Sequence, residues 1–151
     1  MGTEAGRRLG VLRRRTAATL VLLVVEFLLG AATSLYVTIP TNHPGAGSGL
    51  SPGGTLASLL WSFGSGLPLL IVHVVVGILL LLSGVELVLH AVRSGRRACV
   101  VVAAVGLAGI LLAGITGAIF LRDGQNISSM LMSVGFAVAV TCYVVILGLS
   151  A

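Results

Sequence analysis

The sequence predicts an all-α integral membrane protein, a bundle of four transmembrane helices with one short interfacial helix. Apolar residues make up 57% of the 151 residues and charged residues only 9%, whereas soluble domains carry about 25% charged residues. The apolar residues also fall into four runs, each near the length of about 20 residues that a helix needs to cross a bilayer. We therefore expect a single transmembrane domain over residues 1–151.

The four apolar runs predict transmembrane helices over about 16–39, 67–92, 98–121 and 127–149. Pro40 ends the first helix, and short polar turns separate the last three, so these neighbours are antiparallel. One alternative for the first run is a cleaved signal peptide. It is disfavoured because a signal core spans about 7–15 apolar residues, and this run is longer and contains Glu26.

The segment 40–66 is predicted to lie outside the membrane, on the extracytoplasmic side. Its first half is rich in Gly, Pro, Ser and Asn, which favour turns. Its second half has apolar residues at helical spacing and predicts a short helix over about 55–63, with Thr55 as N-cap and Trp61 as an anchor at the interface. This segment is interpreted as a lid that seals the end of the bundle, with a substrate gate as the alternative.

Arginine distribution predicts the orientation in the membrane. All nine basic residues are Arg, and eight of them lie in the basic tail 1–15 or in the turn 93–97. Cytoplasmic segments carry the excess of basic residues, so both termini are expected in the cytoplasm. The net charge of +5 comes from arginines whose positions fit topology signals. It therefore does not indicate nucleic-acid binding, and we expect no nucleic-acid partner. An Arg-only, Ala- and Gly-rich composition is typical of GC-rich bacteria, which indicates the bacterial plasma membrane.

Charged residues inside a bilayer cost about 2.5–3.5 kcal/mol each on insertion scales and usually face the bundle interior. Counting the rise along each predicted helix gives two polar clusters. The inner cluster is predicted to contain Glu26, Ser83, Glu86, Thr141 and Tyr143.

The outer cluster is predicted to contain His73 with Thr33, Thr116 and Ser133. His90 lies near the inner interface, four residues after Glu86, and is expected to pair with it. Both clusters have two interpretations that the sequence leaves open. They are either polar groups that hold helices together or groups that take part in proton movement.

Small residues predict where the helices touch, because helix association in lipid depends on close approach. The third predicted helix has Gly109, Ala113 and Gly117 at intervals of four residues, and the second has Gly77 and Gly84 on the face of His73. Neither of the two cysteines has the partners that a metal site requires, so no metal site is predicted.

Several short motifs resemble those of small uncharacterised four-helix integral membrane proteins of GC-rich bacteria. They are EFLLG at 26–30, LYVTIP at 35–40, HPG at 43–45, HVVVG at 73–77, GAIF at 117–120 and SSM at 128–130. The resemblance covers most of the chain. It implies the four-helix fold and no particular chemistry.

The chain is also distantly similar to four-helix membrane b-type cytochromes, because His73 precedes Gly77 by one helical turn. This similarity implies a haem b held by His73. The fourth helix contains no His, so a single haem would need His43, Met130 or Met132 as its second ligand.

No complete catalytic motif is present, so the sequence favours a non-enzymatic, multi-pass membrane component whose certain partner is the lipid bilayer. Two alternatives stay open: a haem- or quinone-linked redox protein that uses His73, and a small proton-coupled transporter that uses Glu26 and Glu86. A homo-oligomer or a larger membrane complex is compatible with either.

Overall fold

The chain folds into five α-helices, in a computed structural model that describes residues 2–49 and 51–150. The helices are α1 (Gly2–Tyr36), α2 (Pro52–Gly64), α3 (Pro68–Ser94), α4 (Arg97–Asp123) and α5 (Asn126–Leu149). All but α2 are long and apolar enough to span a membrane. The described ranges contain no β-strand, which confirms the predicted all-α, multi-pass membrane fold. The ends of the predicted domain, Met1 and Ala151, lie outside the described residues.

The four long helices pack as a ring of antiparallel neighbours, in which α1 contacts α3, α3 contacts α4, α4 contacts α5 and α5 returns to α1. The closest approach is between α4 and α5. A Cβ atom on Gly109 would lie 2.6 Å from the carbonyl oxygen of Gly135, and one on Gly135 would lie 2.5 Å from that of Gly109. Only glycine permits this approach, which confirms Gly109 as a packing position. Gly117 likewise lies against the sulfur of Met132.

Two glycines close the tight turns of the bundle. Gly95, after α3, and Gly124, after α4, both have positive φ, 74° and 65°. The amide of Gly95 donates to the carbonyl of Val92, and that of Gly124 to Phe120. A residue with a Cβ is strained in this conformation, so these positions fix where the helices reverse.

The arginine-rich half of the bundle holds most of the buried core. The fully buried residues there come from all four long helices and include Leu12, Leu87, Ala91, Cys99, Ala103, Tyr143 and Ile146. Large apolar side chains elsewhere on the long helices are exposed on the protein surface. In water such a surface would be unfavourable, whereas lipid solvates it, so these side chains fit contact with a bilayer.

Helix α1 is longer than predicted, because it begins at Gly2 and not near residue 16. Arginine interrupts an apolar run but is a good helix former, so hydropathy underestimates this helix. The extension also docks on α3, where Arg8 donates to the carbonyl of Arg93 and Arg15 contacts Glu86. At its other end α1 stops at Tyr36, because Ile39 precedes Pro40 and such residues avoid helical backbone.

Helix α2 confirms the predicted short helix in the 40–66 segment but begins three residues earlier. Ser51, not Thr55, is the N-cap, and its side chain accepts a hydrogen bond from the amide of Gly54. Pro52 follows at the first helical position, where its missing N–H costs nothing. Helix α2 packs against α4 and α3, so this segment lies across the ends of those two helices.

Candidate functional site

Two ionisable side chains meet between α1 and α3, well inside the spanning region. The carboxyl oxygen Oε1 of Glu26 lies 3.1 Å from Nδ1 of His73, with side-chain exposures of 15% and 21%. The two atoms are at ion-pair distance, although the ring nitrogen is not oriented for a hydrogen bond. Among the ion pairs of the described residues, only that of Arg122 with Asp123, at the end of α4, is more buried.

Glycines of the opposite helices make room for the pair. A Cβ on Gly77 of α3 would lie 3.0 Å from Oε1 of Glu26, and one on Gly30 of α1 would lie 3.2 Å from Cε1 of His73. Each polar residue therefore lies over a glycine of its partner helix. Since Glu26 precedes Gly30 by four residues and His73 precedes Gly77 by four, both glycines share a face with the polar residue of their own helix.

Four buried side-chain atoms of the described residues have no hydrogen-bond partner: two belong to the pair, one lies on α1 and one lies on α5, beside Gly84 and Gly106. They are Oε2 of Glu26, Nδ1 of His73, the hydroxyl of Thr33 and the hydroxyl of Tyr143. A buried polar atom without a partner costs about 1–3 kcal/mol. Such atoms are rare in folded proteins and mark places where a water, a proton or a ligand is accommodated.

The α1–α3 interface carries two further polar contacts on the arginine-rich side of the pair. The hydroxyls of Thr19 and Ser83 are 2.6 Å apart, and Arg15 lies 3.3 Å from the carboxylate of Glu86. The side chains of Arg15 and Glu86 are each about half exposed. This contact therefore lies at the rim of the spanning region. The buried side chains of Leu23 and Leu80 occupy the helix positions between Ser83 and the Glu26–His73 pair.

The predicted inner cluster is therefore wrong, because its members face different neighbours. Glu26 contacts His73 and Ser83 contacts Thr19, while the carboxylate of Glu86 is at the exposed rim. Thr141 is exposed and bonds only to the carbonyl of Ala137 in its own helix. Tyr143 is fully buried, with its ring against Gly106 and its hydroxyl near Gly84.

The predicted outer cluster is wrong for a similar reason. Thr116 and Ser133 donate to carbonyls of their own helices, which is how hydroxyls in apolar helices commonly satisfy themselves. Thr33 is buried without a partner. The ring of His90 contacts the backbone carbonyl of Glu86 at 2.8 Å, so the predicted pairing with the Glu86 side chain is replaced by a backbone contact.

Sequence reasoning missed Arg15 and Thr19 as members of the polar interface. Arg15, Thr19, Glu26 and Thr33 follow one another at intervals of four, seven and seven residues. These spacings return to one face of a helix. The periodicity was a usable signal that polar residues recur on one face of α1 between Arg15 and Thr33.

The other dense polar region lies at the loop end of the bundle. The ring of His43 is buried, with Nδ1 and Nε2 each 3.0 Å from the carbonyl oxygens of Pro44 and Leu121. It also stacks on the indole of Trp61, with ring centroids 4.4 Å apart. Trp61 therefore packs on the loop and is not simply an interfacial anchor as predicted.

Arg122 completes the attachment of this loop to α4. Its guanidinium contacts the carboxylate of the adjacent Asp123 and donates to the hydroxyl of Thr55 at 2.9 Å, while its carbonyl accepts from the amide of Gly47 at 3.2 Å. Nearly every polar group here has a partner. These contacts fasten the 40–66 segment to the end of α4.

The residues around His73 do not fit a haem. One face of its imidazole is covered by Gly30, and its Nδ1 faces Glu26. The ring of His43 is held by two carbonyls and Trp61, and Met130 is exposed on the surface. Met132 lies against Gly117 on α4. The contacts of His43 and Met132 are thus with other groups, and no group of three or more metal-binding side chains exists in the described residues.

Comparisons of the chain with protein-family models, with curated proteins and with solved structures gave no match. Function is therefore inferred from the geometry of the site itself.

Proposed function

We propose that this protein is a non-enzymatic, multi-pass membrane component in which Glu26 and His73 together hold one exchangeable proton inside the bilayer. The observation that carries the proposal is the 3.1 Å separation of the two side chains between α1 and α3. A lone carboxylate or a lone imidazolium is costly in hydrocarbon. A pair that shares one proton is neutral overall, whichever group holds the proton.

Charge balance limits the pair to one proton. Removing the proton leaves a net negative charge between two apolar helices, and adding a second leaves a net positive charge. The unpartnered Oε2 of Glu26 and the hydroxyl of Thr33 supply further polar atoms toward the loop end. We propose a bacterial plasma membrane as the location, with both termini cytoplasmic, because eight of nine arginines lie at one end of the bundle.

Proton-coupled transport is a second candidate, supported by the polar face of α1. Arg15, Thr19, Glu26 and Thr33 place polar groups on both sides of the buried pair. In a transporter, protons would enter from the arginine-rich end beside Glu86, whose half-exposed carboxylate pairs with Arg15. The apolar layer of Leu23 and Leu80 would separate the entrance from the proton site.

Infrared spectroscopy of the full chain in lipid bilayers tests the proposal. At neutral pH we expect one of two deuterium-sensitive bands. The band of a protonated carboxyl should disappear in Glu26→Gln and shift in His73→Gln, whereas the band of an imidazolium should disappear in both variants, because a lone imidazolium is costly in hydrocarbon. Glu86→Gln is the matched control and should leave that band unchanged. A carboxylate beside a neutral imidazole would disprove the shared proton.

The rate of deuterium exchange at the same band separates the two candidates. Exchange within seconds from both sides of the membrane supports transport, because water must then reach the pair. Exchange over hours supports a static membrane component. Leu23→Ala should accelerate exchange only if the apolar layer is the barrier.

A further inference from the structure

A cavity of about 330 Å³ lies at the arginine-rich end, between the first turns of α1 and the last turns of α3. It is lined by Arg7, Arg8, Val11, His90 and Arg93. The Glu26–His73 pair lies more than four turns away along α1, so this cavity is separate from the proposed proton site.

One contact between the two helices and one within α3 hold the walls of the cavity. Arg8 donates to the carbonyl of Arg93 at 3.2 Å and so ties the extension of α1 to the end of α3. The Nδ1 atom of His90 contacts the carbonyl of Glu86 at 2.8 Å. Since a carbonyl only accepts, Nδ1 carries a proton and Nε2 remains for another partner.

The cavity carries excess positive charge. Among the described residues, Glu4 is the carboxylate that contacts a guanidinium of the lining, at 3.8 Å from Arg8 in an exposed contact. The carboxylate of Glu86 is already paired with Arg15. Within the described residues, Arg7 and Arg93 have no carboxylate within 4.0 Å, so two guanidinium groups at this cavity lack an anionic partner.

Position and chemistry together indicate the ligand. Guanidinium groups bind phosphate through paired hydrogen bonds. The helix α1 has 35 residues, about 52 Å, against a hydrocarbon thickness of about 30 Å, so its first turns reach the headgroup region. Val11 is 39% exposed and Val92 is 56% exposed, which provides apolar surface beside the guanidinium groups.

We propose that this cavity binds the phosphate group of an anionic phospholipid. The headgroup phosphate contacts Arg7 and Arg93, and the acyl chains run along the exposed valines toward the hydrocarbon. Basic pockets between transmembrane helices bind anionic headgroups in this way. A soluble phosphate compound has the same anionic group but gains nothing from the apolar surface.

The test uses the purified full chain in a neutral detergent, with the number and affinity of bound ligands measured by native mass spectrometry. The probes are a short-chain phosphatidylglycerol, the matching phosphatidylcholine and inorganic phosphate. We expect phosphatidylglycerol to bind at one site, and the other two to bind at least tenfold more weakly. Equal affinity for inorganic phosphate would overturn the lipid assignment.

Matched variants separate this cavity from general surface charge. Arg7→Gln with Arg93→Gln should weaken phosphatidylglycerol binding roughly thirtyfold, whereas Arg13→Gln with Arg97→Gln removes the same charge from the same end and should change it less than about threefold. Equal losses in the two variants would overturn the site. Should the first variant fail to fold, Arg7→Lys keeps the charge and still removes the paired hydrogen bonds. Its binding should then fall about fivefold, and unchanged binding would contradict the proposal.

Discussion

At the α4–α5 interface, Gly109 and Gly135 bring two backbones into contact, whereas at the α1–α3 interface Gly30 and Gly77 make room for ionisable side chains. The first interface is closed by backbone contact, and it contains one buried polar atom without a partner among the described residues, the hydroxyl of Tyr143. The second contains a polar contact at each of three levels and buried atoms without partners. The same residue type therefore serves a rigid contact in one half of the bundle and an ionisable pair in the other.

This difference indicates a division of labour within the bundle. Close backbone contact stabilises helix association in lipid, where burial of apolar surface gives no driving force. Unpartnered polar groups reduce stability, so they persist where the rest of the structure compensates. The α4–α5 half supplies that compensation, and the α1–α3 half is where we propose that a proton is held.

The strongest test of this division is Gly109→Leu. A large side chain at a position 2.6 Å from a carbonyl oxygen must push α5 away from α4, at a cost of about 3 kcal/mol in the free energy of unfolding. Gly114→Leu is the control in the same helix, because nothing lies within 4 Å of its Cβ position. The free energy of unfolding is measured in detergent for both variants. Equal losses of stability in the two would show that the contact of Gly109 with Gly135 is not the stabilising one.

A smaller effect is expected from Gly77→Val in the other half. The new side chain displaces the carboxyl of Glu26, which can move, so the cost is about 2 kcal/mol. The infrared band of the shared proton should shift or disappear in this variant. Gly148→Val is the control, because nothing lies within 4 Å of the Cβ position of Gly148. It should leave both the free energy of unfolding and the infrared band unchanged. A band that survives Gly77→Val would show that the glycine does not position the pair.

The sequence was sufficient for the existence of every helix but not for the register between helices. Long apolar runs and glycine-containing turns identify α3, α4 and α5 to within three residues at each end. The polar clusters were wrong because α1 was taken to begin near residue 16. That assumption set Glu26 level with Ser83, whereas Ser83 lies level with Thr19 and His73 faces Glu26.

The predicted register between α1 and α3 is therefore wrong by about two helical turns, and hydropathy alone cannot correct it. Register in a helix pair depends on which side chains interlock. Here that is decided by Gly30 and Gly77, each of which accommodates one particular residue of the other helix. The partners of Arg122 and His43 in the lid were beyond sequence reasoning for the same reason, since they are backbone carbonyls and a hydroxyl from distant segments.

The reciprocal placement of Glu26 over Gly77 and His73 over Gly30 gives the α1–α3 contact an approximate local two-fold axis. Rotation about that axis exchanges the acid with the base and leaves the spacing to each glycine unchanged. The geometry of the contact is therefore nearly the same whether the acid lies on α1 and the base on α3, or the reverse. Combining Glu26→His with His73→Glu should cost less than about 1 kcal/mol in the free energy of unfolding, whereas either single substitution sets two like side chains opposite each other and should cost more. If the exchanged pair is as unstable as the single variants, the surroundings and not the symmetry of the contact determine the site.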